Sequence, residues 1–329
     1  MTPMWMALFV TCATFAAANL AFAALGWVAW PLVQRIAAPA SAATRARVAF
    51  AWRLGPTALS ASAAGIVWAS FFAFEPRHAG EAVGFIIPSV AAAGALLAGV
   101  GLLRAAGAWI ASERLARAWT WHVPSIVLPG FDIPAWAIDA DFPLVAVVGV
   151  RQPRLVVART VAEGCSAGEL AAIAAHERGH LVAGDNLRRL WLQSTYDCLS
   201  WTGRARDMGR AWQEAAEDAA DDHATACGAR EVDLASALVT VARLAPGQPM
   251  AAFPASAFFY RGDGIERRVR RILGRRSAPA KATGDSPTRR RWPRSLAALL
   301  VPVVIAGGLH AGLGRVIYGV TEWLVQSLP

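Results

Sequence analysis

Four stretches of this chain carry no charged side chain: residues 2–34, 54–74, 82–103 and 296–314. Each approaches or exceeds the roughly 20 apolar residues that an α-helix needs to cross a bilayer core. A single arginine at the centre of such a span costs about 2.5–3.5 kcal/mol, so charge-free runs of this length predict four membrane helices. The first is longer than the apolar region of a secretory signal and carries Trp5, Trp27 and Trp30 at interface positions, so it is read as a retained helix. The second and third are joined by a short loop over residues 75–81 and form a helical hairpin. Between the third and fourth runs the pattern changes. Residues 144–150 and 155–158 read as two strands joined by Arg151-Gln152-Pro153-Arg154. From Ser166 the apolar positions return at helical spacing, through Leu170, Ile173, Ala174, Leu181 and Val182. Ser166 and Glu169 have the S-x-x-E spacing of a capping box, and Gly184 is placed to stop that helix in a left-handed turn. Asp185 is then expected to cap a following helix through Leu187, Leu190 and Trp191.

The expected architecture is a multi-pass α-helical membrane protein with a mainly α, α+β domain between the third and fourth spans. Its divisions are three spans over 1–111, a domain over 112–274, a basic linker over 275–294, and the last span with a short tail over 295–329. The composition agrees: 56% of residues are hydrophobic, only 17% are charged, and the mean hydropathy is +0.39. The loop after the first span carries Arg35, Arg45, Arg47 and Arg53, whereas the loop after the second holds only Arg77. By the positive-inside rule both termini lie outside an inner membrane of bacterial type, and the domain faces the cytoplasm. The formal charge of +9 is accounted for by this orientation, and no direct nucleic-acid partner is expected. Residues 275–294, with Pro279, Lys281, Gly284, Ser286 and Pro287 among arginines, have linker composition. Cys12, Cys165, Cys198 and Cys227 lack C-x-x-C spacing and read as small buried or free thiols.

The chemistry concentrates at His176-Glu177-Arg178-Gly179-His180, an H-E-x-x-H sequence on the predicted capped helix. Two imidazoles four residues apart project from one helix face and can share a tetrahedral metal, and the intervening glutamate lies near metal-bound water. A catalytic zinc site takes three protein ligands, so a third is needed downstream. The acidic helix over 213–226 supplies it. Glu217 can bind the metal while Asp221, one turn on, accepts the free N–H of a ligating histidine; Glu214 shares that face and is a rival ligand. His223 falls off the ligand face and is assigned to the surface.

These segments, S-A-G-E-L-A-A-I-A-A-H-E-R-G-H-L-V-A-G-D-N-L-R-R-L and E-D-A-A-D-D-H-A, closely resemble the BlaR/MecR type of membrane zinc peptidase. The family's E-x-x-[AC]-D-x-x-[AV] element matches Glu217, Ala220, Asp221 and Ala224. Glu266 to Leu273 resembles the basic amphipathic helix that closes its peptidase domain, and the likeness spans residues 145–273. The resemblance implies a zincin-like (gluzincin) domain, one Zn²⁺ held by His176, His180 and Glu217, Glu177 as general base, and Asp221 behind a histidine. It also implies a protein or peptide substrate, a cytosolic transcriptional repressor, and self-cleavage in the linker. An edge strand beside the metal helix, one of the two predicted here, would pair with the substrate.

Tyr260 and Arg268 are the polar residues available to donate to an oxyanion. The HtpX-type membrane proteases carry an H-P pair before an R-I pair in this region, and no such pair precedes Arg268-Val269. BlaR and MecR receptors continue into an outer penicillin-binding domain with an S-x-x-K motif. The sole lysine here is Lys281, ahead of the fourth span, so β-lactam sensing is not expected. Two alternatives stand beside the signalling peptidase: an HtpX-like quality-control protease, and a non-catalytic zinc-stabilised scaffold or signalling subunit. The intact Glu177 argues against the scaffold, which would need only the ligands.

Overall fold

The structure, a computed structural model, describes residues 3–74, 85–126, 134–140, 142–197, 200, 202–244 and 262–274, together with 316, 319–320 and 323. The loop over 75–81, Tyr260, the linker over 275–294 and the fourth expected span at 296–314 lie outside the described residues.

Three apolar helices open the chain: α1 (Pro3–Ala37), α2 (Ala42–Phe74) and α3 (Ile86–Thr120). All three are long and apolar enough to cross a membrane. α1 packs against both of the others. They run past the charge-free stretches: α2 begins twelve residues before Leu54, and α3 continues through Arg104 and Glu113. The helix ends nearest these polar extensions carry the contacts to the rest of the fold. On one side Trp30, Phe50 and Leu54 form a cluster with Met208, Trp212, Ala215 and Ala216 of α7 (Gly203–Ala226). On the other, Glu113 of α3 accepts from Val150 N (3.0 Å) and Arg151 N (3.1 Å), holding the turn of the strand hairpin.

That hairpin, β3 (Val145–Val148) and β4 (Arg154–Ala158), is antiparallel, as two strands joined by so short a connection must be. Two further short strands, β1 (Ser125–Ile126) and β2 (Ala135–Ile138), complete a four-stranded sheet in the order β1-β2-β4-β3, with β2 and β4 parallel. The valines of β3 and β4 are buried, as is α4 (Arg159–Gly164) at Val161. Over them pack α5 (Ala167–Ala183) through Ala172 and Ile173, α8 (Glu231–Leu244) through Leu234, Leu238 and Val241, and α9 (Gly262–Gly274) through Ile272.

The expected capping box starts α5. Ser166 N donates to Glu169 Oε2 (2.7 Å) and Glu169 N to Ser166 Oγ (3.3 Å). Glu169 also accepts from Ser236 Oγ (2.6 Å) and Thr240 Oγ1 (2.9 Å), so the cap bolts α5 to α8. Gly184 ends the helix at φ 72°, and α6 (Asp185–Ser194) follows at once. Beyond α6, a buried ion pair from Arg53 of α2 to Asp197 (2.5 Å), with Arg53 also donating to Thr195 O (2.9 Å), returns the chain to the membrane helices.

Candidate metal centre

α5 presents His176 and His180 one turn apart, and α7 crosses it so that Glu217 meets both rings. His176 Nε2 lies 3.4 Å from Glu217 Oε2, and His180 Nε2 lies 3.5 Å from Glu217 Oε1. One ligand atom from each of the three falls within 4.8 Å of the others. Gly179 permits this crossing: a Cβ there would stand 2.9 Å from Ala220 Cα, so any side chain would push the two helices apart.

Each imidazole is fixed from behind by a carboxylate. Asp221 Oδ1 lies 2.9 Å from His176 Nδ1, as the one-turn spacing from Glu217 anticipates, and Asp185 Oδ2 lies 2.8 Å from His180 Nδ1. With both Nδ1 atoms so engaged, the Nε2 atoms are the ones directed at Glu217. The second contact corrects the expectation for Asp185. Its side chain makes no cap to α6; the left-handed turn at Gly184 folds it back onto His180, and Arg188 donates to its other oxygen (3.2 Å). Sequence reasoning missed this partner, although a Gly-Asp pair directly after an H-E-x-x-H helix is the signal for it.

Arg268 is enclosed, 4% exposed, and its guanidinium donates to Asp221 (2.9 and 2.6 Å) and pairs with Glu217 Oε2 (3.1 Å). It is thus paired with two carboxylates of α7. Asp218, beside Glu217, receives Arg267 (2.7 Å) and Arg45 of α2 (3.0 Å). Glu214 is exposed and outside the cluster. His223 is half-buried, with its Nε2 3.4 Å from Cys227 Sγ. Cys12, Cys165 and Cys227 are free, and burial, aided by Glu169, pushes the Cys165 thiol up to about 11.

Glu177 is 3% exposed and accepts from Val147 N of β3 (3.1 Å). Burial raises its carboxyl above the ordinary range; His180, His176 and the Val147 N–H oppose that shift. At His180 burial disfavours the charged ring, but Glu217 and Asp185 outweigh it and push the group up to about 10. Burial likewise opposes ionisation of Asp221, yet Arg268 and His176 hold it down at about 2. The site is therefore strongly polarised, with cations and carboxylates alternating in a buried cluster.

Residues 146–209 match the model of Peptidase family M48. The M48 match runs from β3 through α5 and α6 into the first turns of α7, so it covers His176, Glu177 and His180 and stops before Glu217. It supports a peptidase, and with the three apolar helices a membrane metallopeptidase. No curated protein and no solved structure matches the chain.

The donor set suits zinc: His176 Nε2 faces Glu217 Oε2 and His180 Nε2 faces the other oxygen, Oε1, and one ligand atom from each residue lies within 4.8 Å of the other two. Two imidazoles and one carboxylate are also the ligand set of zinc peptidases, which leave a fourth position open.

Proposed function

We propose that the chain is an integral membrane zinc endopeptidase with a zincin-like domain over residues 112–274. His176, His180 and Glu217 are its ligands and Glu177 its proton-transfer group. The carrying observation is the pair of 3.4 and 3.5 Å separations from Glu217 to the two Nε2 atoms. Zinc held there supplies Lewis acidity, lowering the pKa of water from about 15.7 to about 7 and polarising a substrate carbonyl. The protein does the rest. Asp221 and Asp185 hold the rings so that the Nε2 lone pairs converge. Arg268 offsets the charge of Glu217 and Asp221. Glu177, raised by burial and oriented by the Val147 N–H, takes a proton from the attacking water and delivers it to the leaving amine.

The finer reading, from the likeness to BlaR/MecR, is a cytoplasmic domain on an inner membrane that cleaves a transcriptional repressor and its own linker at 275–294, ahead of a fourth span and short outer tail over 295–329. One observation favours HtpX-like quality control instead: α7, which carries Glu217, packs directly on α2, so the site is built onto the membrane helices. Purified protein should hold about one zinc per chain and cut casein, and Glu177→Gln should keep the metal and lose cutting. A metal-free but active preparation sinks the zinc reading; metal without cutting leaves the scaffold. Comparing cellular proteomes of wild type and Glu177→Gln then separates a repressor fragment from accumulated membrane-protein fragments.

A further inference from the structure

β3 is the end strand of the sheet among the described residues; it is buried along its length, and its outer edge meets Glu177 of α5 and Asn186 of α6. Ala158 N donates to Leu144 O (2.6 Å), so Leu144, Ala146 and Val148 turn their backbone groups toward β4. By the two-residue period of a strand, Val145, Val147 and Gly149 turn theirs outward. Those outward groups are occupied by side chains. The Val147 N–H goes to Glu177, while the amide of Asn186, in the first turn of α6, donates to both Val147 O (2.9 Å) and Gly149 O (3.0 Å). An extended peptide that adds to a sheet edge must donate its own N–H groups to such carbonyls. Asn186 also lines a cavity of about 50 Å³ between α3, β3 and α6, bordered by Ser112, Val150 and Gln193, so its amide has space into which to turn.

We propose that Asn186 competes with substrate for the edge of β3 and is a specificity-determining residue: a peptide binds in extended form by replacing the Asn186 amide on the Val147 and Gly149 carbonyls. This rests on the peptidase reading. It predicts that only substrates able to lay down at least two backbone N–H groups in register displace the side chain, which selects against proline at those positions and against folded segments.

The test uses zinc-loaded, full-length protein in detergent, with Glu177→Gln as the non-cutting background. The dissociation constant of a fluorescein-labelled, unstructured casein fragment is read by anisotropy. Adding Asn186→Ala should tighten binding about five-fold or more, because two hydrogen bonds no longer have to be exchanged. In the cutting protein the same change should lower KM without lowering kcat. Asn186→Leu, which keeps the volume and deletes the donor, serves if the alanine variant does not fold, and thermal unfolding identifies that case. A merely structural strut would give lower stability with binding unchanged or weaker, and that result overturns the proposal alone. If neither Glu177→Gln nor its double variants bind the fragment, the peptidase reading falls and this one with it.

Discussion

Arg268 and Asp185 do more for the site than their distance from the H-E-x-x-H sequence suggests. Removing the Arg268 guanidinium leaves Asp221 and Glu217 buried without their cation, and breaking a buried pair from one side costs about 3–5 kcal/mol. Arg268→Met is therefore expected to lower stability by that order and weaken zinc binding, measured by denaturant unfolding and by competition with a chelator. Undiminished affinity would remove Arg268 from the site. Asp185→Asn should weaken metal binding about 10–100-fold, the usual effect of losing a partner behind a ligating imidazole. Asp221 gives a pH signature. Its carboxyl is depressed from an ordinary value near 3.8 to about 2, so its contribution is fully present above about pH 4 and is lost as pH falls toward 2. Linkage puts that contribution on the order of 2 kcal/mol. Asp221→Asn should flatten the acid limb of unfolding in metal-free protein, and an unchanged limb would show that other carboxylates carry it.

At the scale of elements, the crossing of α5 and α7 is the decisive contact, because it converts two helix faces into one ligand set. Gly179→Ala places a Cβ against backbone at Ala220, which cannot yield as a flexible side chain would. Overpacking of this kind costs about 1–3 kcal/mol. The variant should fold with reduced stability and lose zinc affinity together, whereas Gly203→Ala, with open space at its Cβ, should leave zinc affinity unchanged. α5 was legible in the sequence from end to end, since its start, stop and ligand spacing are local properties of Ser166, Glu169, His176, His180 and Gly184. So was the Glu217–Asp221 register of α7. β1 and β2 were not: β1 has only two residues, and β2, Ala-Trp-Ala-Ile, lacks the run of valines that marks β3 and β4. Nor was the turn of Asp185 onto His180: the residue type suits a helix cap, and only the direction in which the chain leaves Gly184 decides otherwise. Arg268 was picked out for its charge, but its partners lie 47 and 51 residues away, a pairing no local pattern encodes.

The whole molecule is organised by the way the polar ends of α1, α2 and α3 meet the sheet and α7. The Phe50–Trp212 cluster, the Arg45–Asp218 pair and the Glu113 contact all lie at the end of the bundle where α1 stops and α2 begins, so on the proposed membrane reading the site domain and residues 38–41 would share one side. α1 spans 35 residues, about 52 Å at 1.5 Å each, which exceeds a 30 Å hydrocarbon core and is long enough to carry its amino-terminal end to the opposite side. Arg35, Arg45 and Arg47 gather at the domain end, and the orientation we propose from the positive-inside bias makes that end cytoplasmic. In intact cells, a membrane-impermeant maleimide should therefore label Met4→Cys and leave Ser41→Cys unlabelled until the membrane is opened, in a background where Cys227 is serine. Labelling of Ser41→Cys alone would invert the orientation and place the proposed peptidase outside, out of reach of any cytosolic repressor. Labelling of both positions would show that α1 does not span, and the platform on which α7 rests would then have to be a surface-bound helix.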